Sequence, residues 1–281
     1  MSASMNGKTI LITGATNGIG LVAAHTLAKL GAQTVIVSRS AEKCARVSEQ
    51  IKHETGNPQV EYIAADLSTR DGVQHTAHEF KKHHPRLDVL LNNAGALFIS
   101  RQLSADGIEM TFALNHLNYF LLTVLLLDTL KASGPARIVN VSSNAHRRGK
   151  INFDDLQMEK GYNGMGAYGQ SKLANILFTY ELTRKLEGTR VTANALHPGF
   201  VNTGFGKNNG GLVKFGMGLL LPIQRKPKEG AQTSIYLASS PEVEGVTGKY
   251  FEDSKAVPSS PASYNHAAAE RLWQVSLEMI A

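Results

Sequence analysis

Tyr168-Gly-Gln-Ser-Lys172 sets a phenol and an ammonium four residues apart, a spacing that puts both on one face of a helix. A free tyrosine has a pKa of about 10 and is a poor proton carrier near neutrality. A neighbouring cation favours the phenolate and draws that pKa toward working pH, as general acid–base chemistry requires. The pair alone is also a common accident of composition. Ser142-Ser143 closes an apolar run that reads as a strand, and a hydroxyl there can hold a carbonyl oxygen while the phenol protonates it. Each serine alone is equally a turn or cap residue. No glycine-flanked nucleophile elbow surrounds them, which argues against a hydrolase triad.

A second constellation lies at the start of the chain. Thr13-Gly14-Ala15-Thr16-Asn17-Gly18-Ile19-Gly20 joins a strand-like run to a helical one. Glycines at that junction let the backbone turn sharply against a pyrophosphate, whose charge a helix N-terminus stabilises. The end of the next strand, where an acid would accept from the ribose hydroxyls of NAD, carries Ser38 and then Arg39. A guanidinium there matches the 2′-phosphate of NADP, and the plain alternative is a surface arginine. Asn92-Asn93-Ala94-Gly95 closes the fourth strand with small residues that let a ligand lie on the backbone. Asp66, followed by Leu67, ends the third strand; it reaches an adenine or caps the next helix.

The elements that must carry these groups alternate strictly. Strands are expected at Thr9–Thr13, Thr34–Ser38, Val60–Ala65, Leu87–Asn92, Arg137–Ser142, Val191–Leu196 and Gly245–Phe251. Helices are expected from about Gly18 to Leu30, Ala41 to His53, Thr69 to His83, across most of Leu103 to Lys131, and from Ala167 to Leu186. Near-continuous apolar strands between helices imply a parallel α/β sheet covered on both faces. Ser254 to His266 reads as a surface loop before a last helix.

The net charge of +6 comes from scattered residues with no Lys/Arg run longer than two, which excludes a nucleic-acid patch and leaves a surface that favours anionic ligands. The single cysteine, Cys44, rules out an intramolecular disulfide and reads as buried and inert. No metal is called for: His75, His78, His83 and His84 crowd one helix as a solvated face. Phe120 to Leu127 is too short to span a bilayer and Met1 to Lys8 lacks an apolar signal core, so the chain reads as soluble and cytoplasmic.

Taken jointly, the motifs resemble those of the short-chain dehydrogenase/reductase family, in its retinol-dehydrogenase-like branch. Thr13 to Gly20, Asn92 to Gly95, Asn115, Ser143, Tyr168 with Lys172, and Pro198-Gly-Phe-Val-Asn-Thr203 carry the family resemblance. Leu114 to Leu117, Ile138 to His146, Ile151 to Leu156 and Ser171 to Phe178 carry the branch, and the whole covers about residues 7–252.

The resemblance implies a single Rossmann-type domain over 1–281 with about seven strands, transferring hydride between a nicotinamide and a small-molecule carbonyl or alcohol. Tyr168 would exchange the oxygen's proton and Ser143, second of its pair, would polarise that oxygen. Lys172 would lower the Tyr168 pKa and hold the nicotinamide ribose; Asn115 would anchor a water linking Lys172 to solvent. The contact set for NADP(H), preferred over NAD(H), would be Gly14, Thr16, Asn17, Gly18, Ile19, Gly20, Ser38, Arg39, Asp66, Leu67, Asn93, Ala94, Gly95, Tyr168 and Lys172. Pro198, Gly199, Val201 and Thr203 would border the nicotinamide. The glycine- and apolar-rich stretch at about 204–225 is expected to be a lid over a lipophilic substrate. Many relatives of this type carry an N-terminal membrane anchor, and none is read here; peripheral membrane contact and homo-oligomers stay open. The competing reading is a catalytically silent NADP(H)-binding sensor or scaffold.

Overall fold

The computed structural model describes residues 4–201 and 225–281. Its elements in chain order are β1 (Thr9–Thr13), α1 (Gly18–Lys29), β2 (Gln33–Ser38), α2 (Ala41–Thr55), β3 (Val60–Ala64), α3 (Arg70–His83), β4 (Val89–Asn92), α4 (Asn118–Ala132), β5 (Ala136–Val141), α5 (Gly164–Lys185), β6 (Val191–His197), α6 (Gln232–Ser239), β7 (Tyr250–Glu252), β8 (Lys255–Val257) and α7 (His266–Ile280). One sheet of order β3-β2-β1-β4-β5-β6-β7-β8 runs through them. Neighbours are parallel except at β7–β8.

Burial on both faces explains why the strands read as apolar throughout. In β1, successive side chains point to opposite sides. Ile10 and Ile12 join the core beneath α1 and α6, with Ile36, Val139 and Leu237. Leu11 faces the other core, with Val35, Leu90, Phe120 and Phe178. The last helix, α7, lies over α4 and α5, its Trp273 ring edge-on to Phe120 at 4.9 Å. The helical stretch Met110–Ala132 is long and apolar enough to cross a membrane, longer than the Phe120–Leu127 run, yet 72% of its apolar window is buried inside the protein. It is a core helix.

Strand order reverses beside β1, so the crevice at the carboxyl ends of β1 and β4 is the topological switch point where such sheets bind ligands. Both the glycine turn and Asn93–Gly95 leave the sheet there.

Four expectations change. The strand expected over Gly245–Phe251 is confined to Tyr250–Glu252, since Gly245 and Gly248 turn the chain at φ of 72° and 67°. An eighth strand, β8, comes out of the stretch read as a loop. Asp253 and Ser254, with φ of 50° and 59°, form a two-residue hairpin turn without glycine. Helix after Leu103 starts only at Met110, because Leu103 bridges to Glu109 and the buried Glu109 carboxylate caps the turn, accepting from the amides of Thr111 and Phe112 at 2.8 Å. A π-helical turn, Ala113–Leu117, then leads into α4. His84 is buried against Phe80 rather than solvated.

Candidate active site

At the β1–α1 turn, Gly14 has φ of 67° and Gly18 of 55°, a region that favours glycine. A Cβ on Gly14 would fall 2.8 Å from the Ala94 Cα, and one on Gly20 would fall 2.4 Å from the Gly14 carbonyl oxygen. The turn is therefore a cradle made of backbone. Asn93 locks it in place: its Nδ2 donates to the carbonyls of Thr13 (2.8 Å) and Gly14 (3.2 Å), while Thr13 Oγ1 accepts from the amides of Asn93 and Ala94. Ser40, Thr69, Asn163 and Asn265 cap α2, α3, α5 and α7 with their side chains. By contrast, Asn17 gives α1 no side-chain cap and its first turn has no acid. That leaves an electropositive helix end facing the switch point, which fits a dinucleotide's pyrophosphate.

Thr16 Oγ1 donates to Ser38 Oγ at 3.0 Å, which joins the glycine turn to the end of β2, and Arg39 follows, exposed. Asp66 resolves away from helix capping. Its carboxylate accepts from the amide and hydroxyl of Ser68, and Thr69 caps α3; Leu67 beside it is buried. Cys44 is buried, and burial pushes its thiol pKa up.

The structure separates the two serines. Ser142 points inward, donating to the Lys172 carbonyl at 2.7 Å. The Ser143 hydroxyl stands beside the Tyr168 phenol, where it favours the charged form. Close backbone contact brings them together, since a Cβ on Gly149 would fall 2.3 Å from the Gly169 carbonyl oxygen. The start of α5 thus rests directly on the turn after Ser143. Lys172 lies one turn on, buried, its Nζ donating to the Val141 carbonyl at 2.9 Å. That Nζ sits 5.7 Å from the Tyr168 ring centre and 5.6 Å from that of Tyr119, a buried ring that sequence reasoning missed.

The electrostatics correct one expectation. Burial pushes the Tyr168 phenol up to about 12, the Ser143 hydroxyl offsetting part of this, and pushes Lys172 down to about 7. Desolvation penalises both charged forms and shifts each group toward its neutral state. Asn115, in the π-helical turn, stitches the loop after β4 to α5. Its Oδ1 accepts from the Ala96 amide (2.8 Å) and its Nδ2 donates to the Ala96 carbonyl and to Ser171 Oγ. The Asn115 carbonyl already accepts from Asn175 Nδ2 at 2.9 Å. Gly95 lies against both: a Cβ there would be 3.1 Å from Asn115 Oδ1 and 3.5 Å from Lys172 Nζ.

Beyond β6, Pro198 leads to Gly199, whose φ is 85°, and Val201 bridges to Arg225. Arg225 also pairs with Asp253. Thr203 and the expected lid, apart from Arg225, lie outside the described residues.

A phenol, a serine and a buried lysine thus meet at a sheet's switch point beside a glycine cradle, the arrangement for moving a proton next to a bound dinucleotide. Residues 8–211 match a family model described as short chain dehydrogenase. The chain belongs to that family. Among its relatives, human retinol dehydrogenase 14 is 44% identical over 98% of this chain and 87% of that protein. Human polyprenol dehydrogenase is 43% identical over 97% and 84%. A crystal structure of an uncharacterized protein from Mycobacterium paratuberculosis superposes with a TM-score of 0.81 at 31% identity, covering 99% of this chain and 95% of that one. The NADP complex of Pseudomonas aeruginosa RhlG does so with 0.71 at 28%, covering 88% and 95%. This short-chain dehydrogenase stands in the retinol-dehydrogenase-like branch and is an oxidoreductase acting at CH–OH and C=O groups.

Proposed function

We propose that the chain is an NADP(H)-dependent reductase or dehydrogenase of lipophilic carbonyls and alcohols. The observation that carries this is the meeting of Ser143, Tyr168 and buried Lys172, whose Nζ is 5.7 Å from the Tyr168 ring centre, at the crevice that the uncapped α1 turn also faces. When bound, the nicotinamide supplies or accepts the hydride. The residues do the rest. Ser143 holds the substrate oxygen; the Tyr168 phenol gives it a proton during reduction, and the Tyr168 phenolate takes one from the alcohol during oxidation. Lys172, which exchanges its proton readily in its dry site, returns a proton to the phenolate after reduction and takes the phenol's proton before oxidation. The lone pair left on the Asn115 carbonyl suits a solvent link to Lys172. Ser38 carries no repelling carboxylate and Arg39 supplies a cation for the 2′-phosphate.

Support for a lipophilic substrate comes from exposed apolar side chains on loops at this edge. Ile99 and Phe200 follow β4 and β6, and Met165 opens α5. A Cβ on Gly164 would fall 2.8 Å from the Ile99 Cα, so the start of α5 packs on the loop that carries Ile99. The names of the retinol and polyprenol dehydrogenases agree with this class. The test is NADPH oxidation along a homologous series of straight-chain aldehydes. Each buried methylene should be worth about 0.8 kcal/mol, roughly fourfold in kcat/KM, until the pocket is filled. A flat series would remove the lipophilic reading. No turnover with intact NADPH binding would favour the sensor.

A further inference from the structure

Two buried histidines, neither of them part of the proton path, bracket the peptide that follows Ser143. The Ser143 carbonyl oxygen and the Asn144 amide belong to one peptide plane. His146 Nδ1 lies 2.7 Å from that oxygen, which also accepts from the His146 amide at 3.1 Å. On the other side, the Asn144 amide donates to His197 Nδ1 at 3.2 Å. His146 Nε2 accepts from the Ser260 amide at 3.0 Å, so its proton is on Nδ1 and Nδ1 donates to Ser143. His197 must carry the opposite tautomer, with Nδ1 bare. Burial keeps both imidazoles neutral, as these roles demand.

We infer that His146 and His197 form a clamp, one donating and one accepting, that fixes the Ser143–Asn144 peptide plane and so aims the Ser143 hydroxyl at Tyr168. With the plane pinned at its oxygen and its nitrogen, the backbone of Ser143 keeps its extended conformation (φ −165°, ψ 157°). The Cβ–Oγ direction then has only rotation about χ1 left, which the Ala145 amide, donating to Oγ at 3.2 Å, restricts. The clamp reaches outward in two directions. His146 ties the turn to the segment before α7 through Ser260, and His197 ends β6 immediately before Pro198. His146 and His197 are positioning residues; neither touches the reacting atoms. The inference rests on the reading of Ser143 as the group that holds the substrate oxygen.

Two amide substitutions separate aiming from mere tethering. Asparagine places its Nδ2 where His146 Nδ1 sits, so His146→Asn keeps the bond to Ser143 and loses the one to Ser260. Glutamine reaches the Nε2 position, so His146→Gln keeps the tether and loses the bond to Ser143. The full chain is assayed for kcat with an aldehyde, for NADPH affinity by fluorescence titration and for melting temperature. His146→Gln should lose about tenfold to a hundredfold in kcat, the scale of a misplaced reacting group. Its NADPH affinity should stay within about twofold, while His146→Asn should hold kcat within about fivefold. The reverse ranking, or wild-type kcat in both, overturns the clamp. Should neither variant show a cooperative melt, His197→Asn, whose Oδ1 can still accept from Asn144, is compared with His197→Ala. Only the alanine variant should lose kcat, and equal values overturn the proposal. Ser143→Ala runs alongside: wild-type turnover there would break the reading of Ser143 itself rather than the clamp.

Discussion

The two turns that make the site are built in opposite ways. The turn at 14–20 is backbone: its shape follows from glycines whose missing Cβ atoms leave room for Ala94 and for the Gly14 carbonyl, and its helix end is left without a side-chain cap. The turn at 142–149 is side chains: Ser142 bonds inward to α5, Ser143 stands beside Tyr168, and His146 and His197 hold the peptide between. A surface that receives a diphosphate works with bare amides, and any neighbour that satisfied them would compete with the ligand. A hydroxyl that must meet a substrate oxygen within a few tenths of an ångström needs its rotamer and backbone fixed by partners. Binding is left open in one turn and geometry is closed in the other.

Tyr168→Phe is the strongest break of this contrast. It removes one oxygen from the closed turn's partner and nothing from the open one, so kcat should fall by about two to four orders of magnitude, the range for general acid–base groups. NADPH affinity should change less than about twofold. Steady-state rates with fluorescence titration decide it, and turnover near wild type would take Tyr168 out of the mechanism. Next come the adjacent serines. Ser143→Ala should cost about a hundredfold in kcat with little change in melting temperature. Ser142→Ala should cost about 0.5–1.5 kcal/mol of stability by removing a buried hydrogen bond to the Lys172 carbonyl, and leave a measurable kcat. If both serines behave alike, the division between inward and outward roles is wrong.

The open turn was legible in the sequence because its shape is local: strand, three glycines and helix follow one another within a dozen residues, and Gly20 is forced by the Gly14 carbonyl in the same motif, although Gly14 itself answers to the distant Ala94. The closed turn was legible only in part. Both serines were candidates, and strand alternation, visible once β5 is placed, sends Ser142 inward. His146 stood at the end of a motif, but nothing in the sequence showed its clamping role, since its partner Ser260 is 114 residues away. β8 was missed for a different reason: its hairpin turn puts positive φ on Asp253 and Ser254, not on the glycine that marks such turns. The pKa of Tyr168 was read from the neighbouring charge alone, whereas burial, which no spacing reports, dominates it.

Lys172 sharpens the contrast through pH. Its folded pKa, about 7, lies below the unfolded value of about 10.4. Between those values the unfolded chain binds more protons, so this group's contribution to stability rises with pH. Below about pH 7 both states are protonated and the cost of the buried ammonium is present in full. Relative to Lys172→Met, the cofactor-free wild type should therefore gain on the order of 2 kcal/mol from pH 7 to 9, measured by denaturant unfolding at each pH. Tyr168, raised to about 12, and Tyr119, raised well above its usual value by burial, stay neutral across that window. A constant difference between the two proteins would show that Lys172 keeps its proton in the fold.

Arg39 gives the smallest effect and probes the open turn. It is exposed at the end of β2, next to the Ser38 that Thr16 joins to the glycine turn. A charge-assisted contact made in solvent falls at the low end of its range, about 1.5 kcal/mol, or roughly tenfold in affinity. Arg39→Ala should weaken NADPH by about that factor and leave NADH within about twofold. Ionic strength supplies an independent handle, because an exposed pair is screened over a Debye length that shrinks from roughly 14 Å at 0.05 M to roughly 4 Å at 0.5 M. The wild-type preference for NADPH should therefore narrow with added salt, and that of Arg39→Ala should stay nearly flat. Equal weakening of both cofactors would mean that Arg39 shapes the turn and does not read the phosphate. A wild-type preference that ignores salt would move the phosphate contact into the backbone cradle, and with it the one side-chain contribution assigned to the open turn.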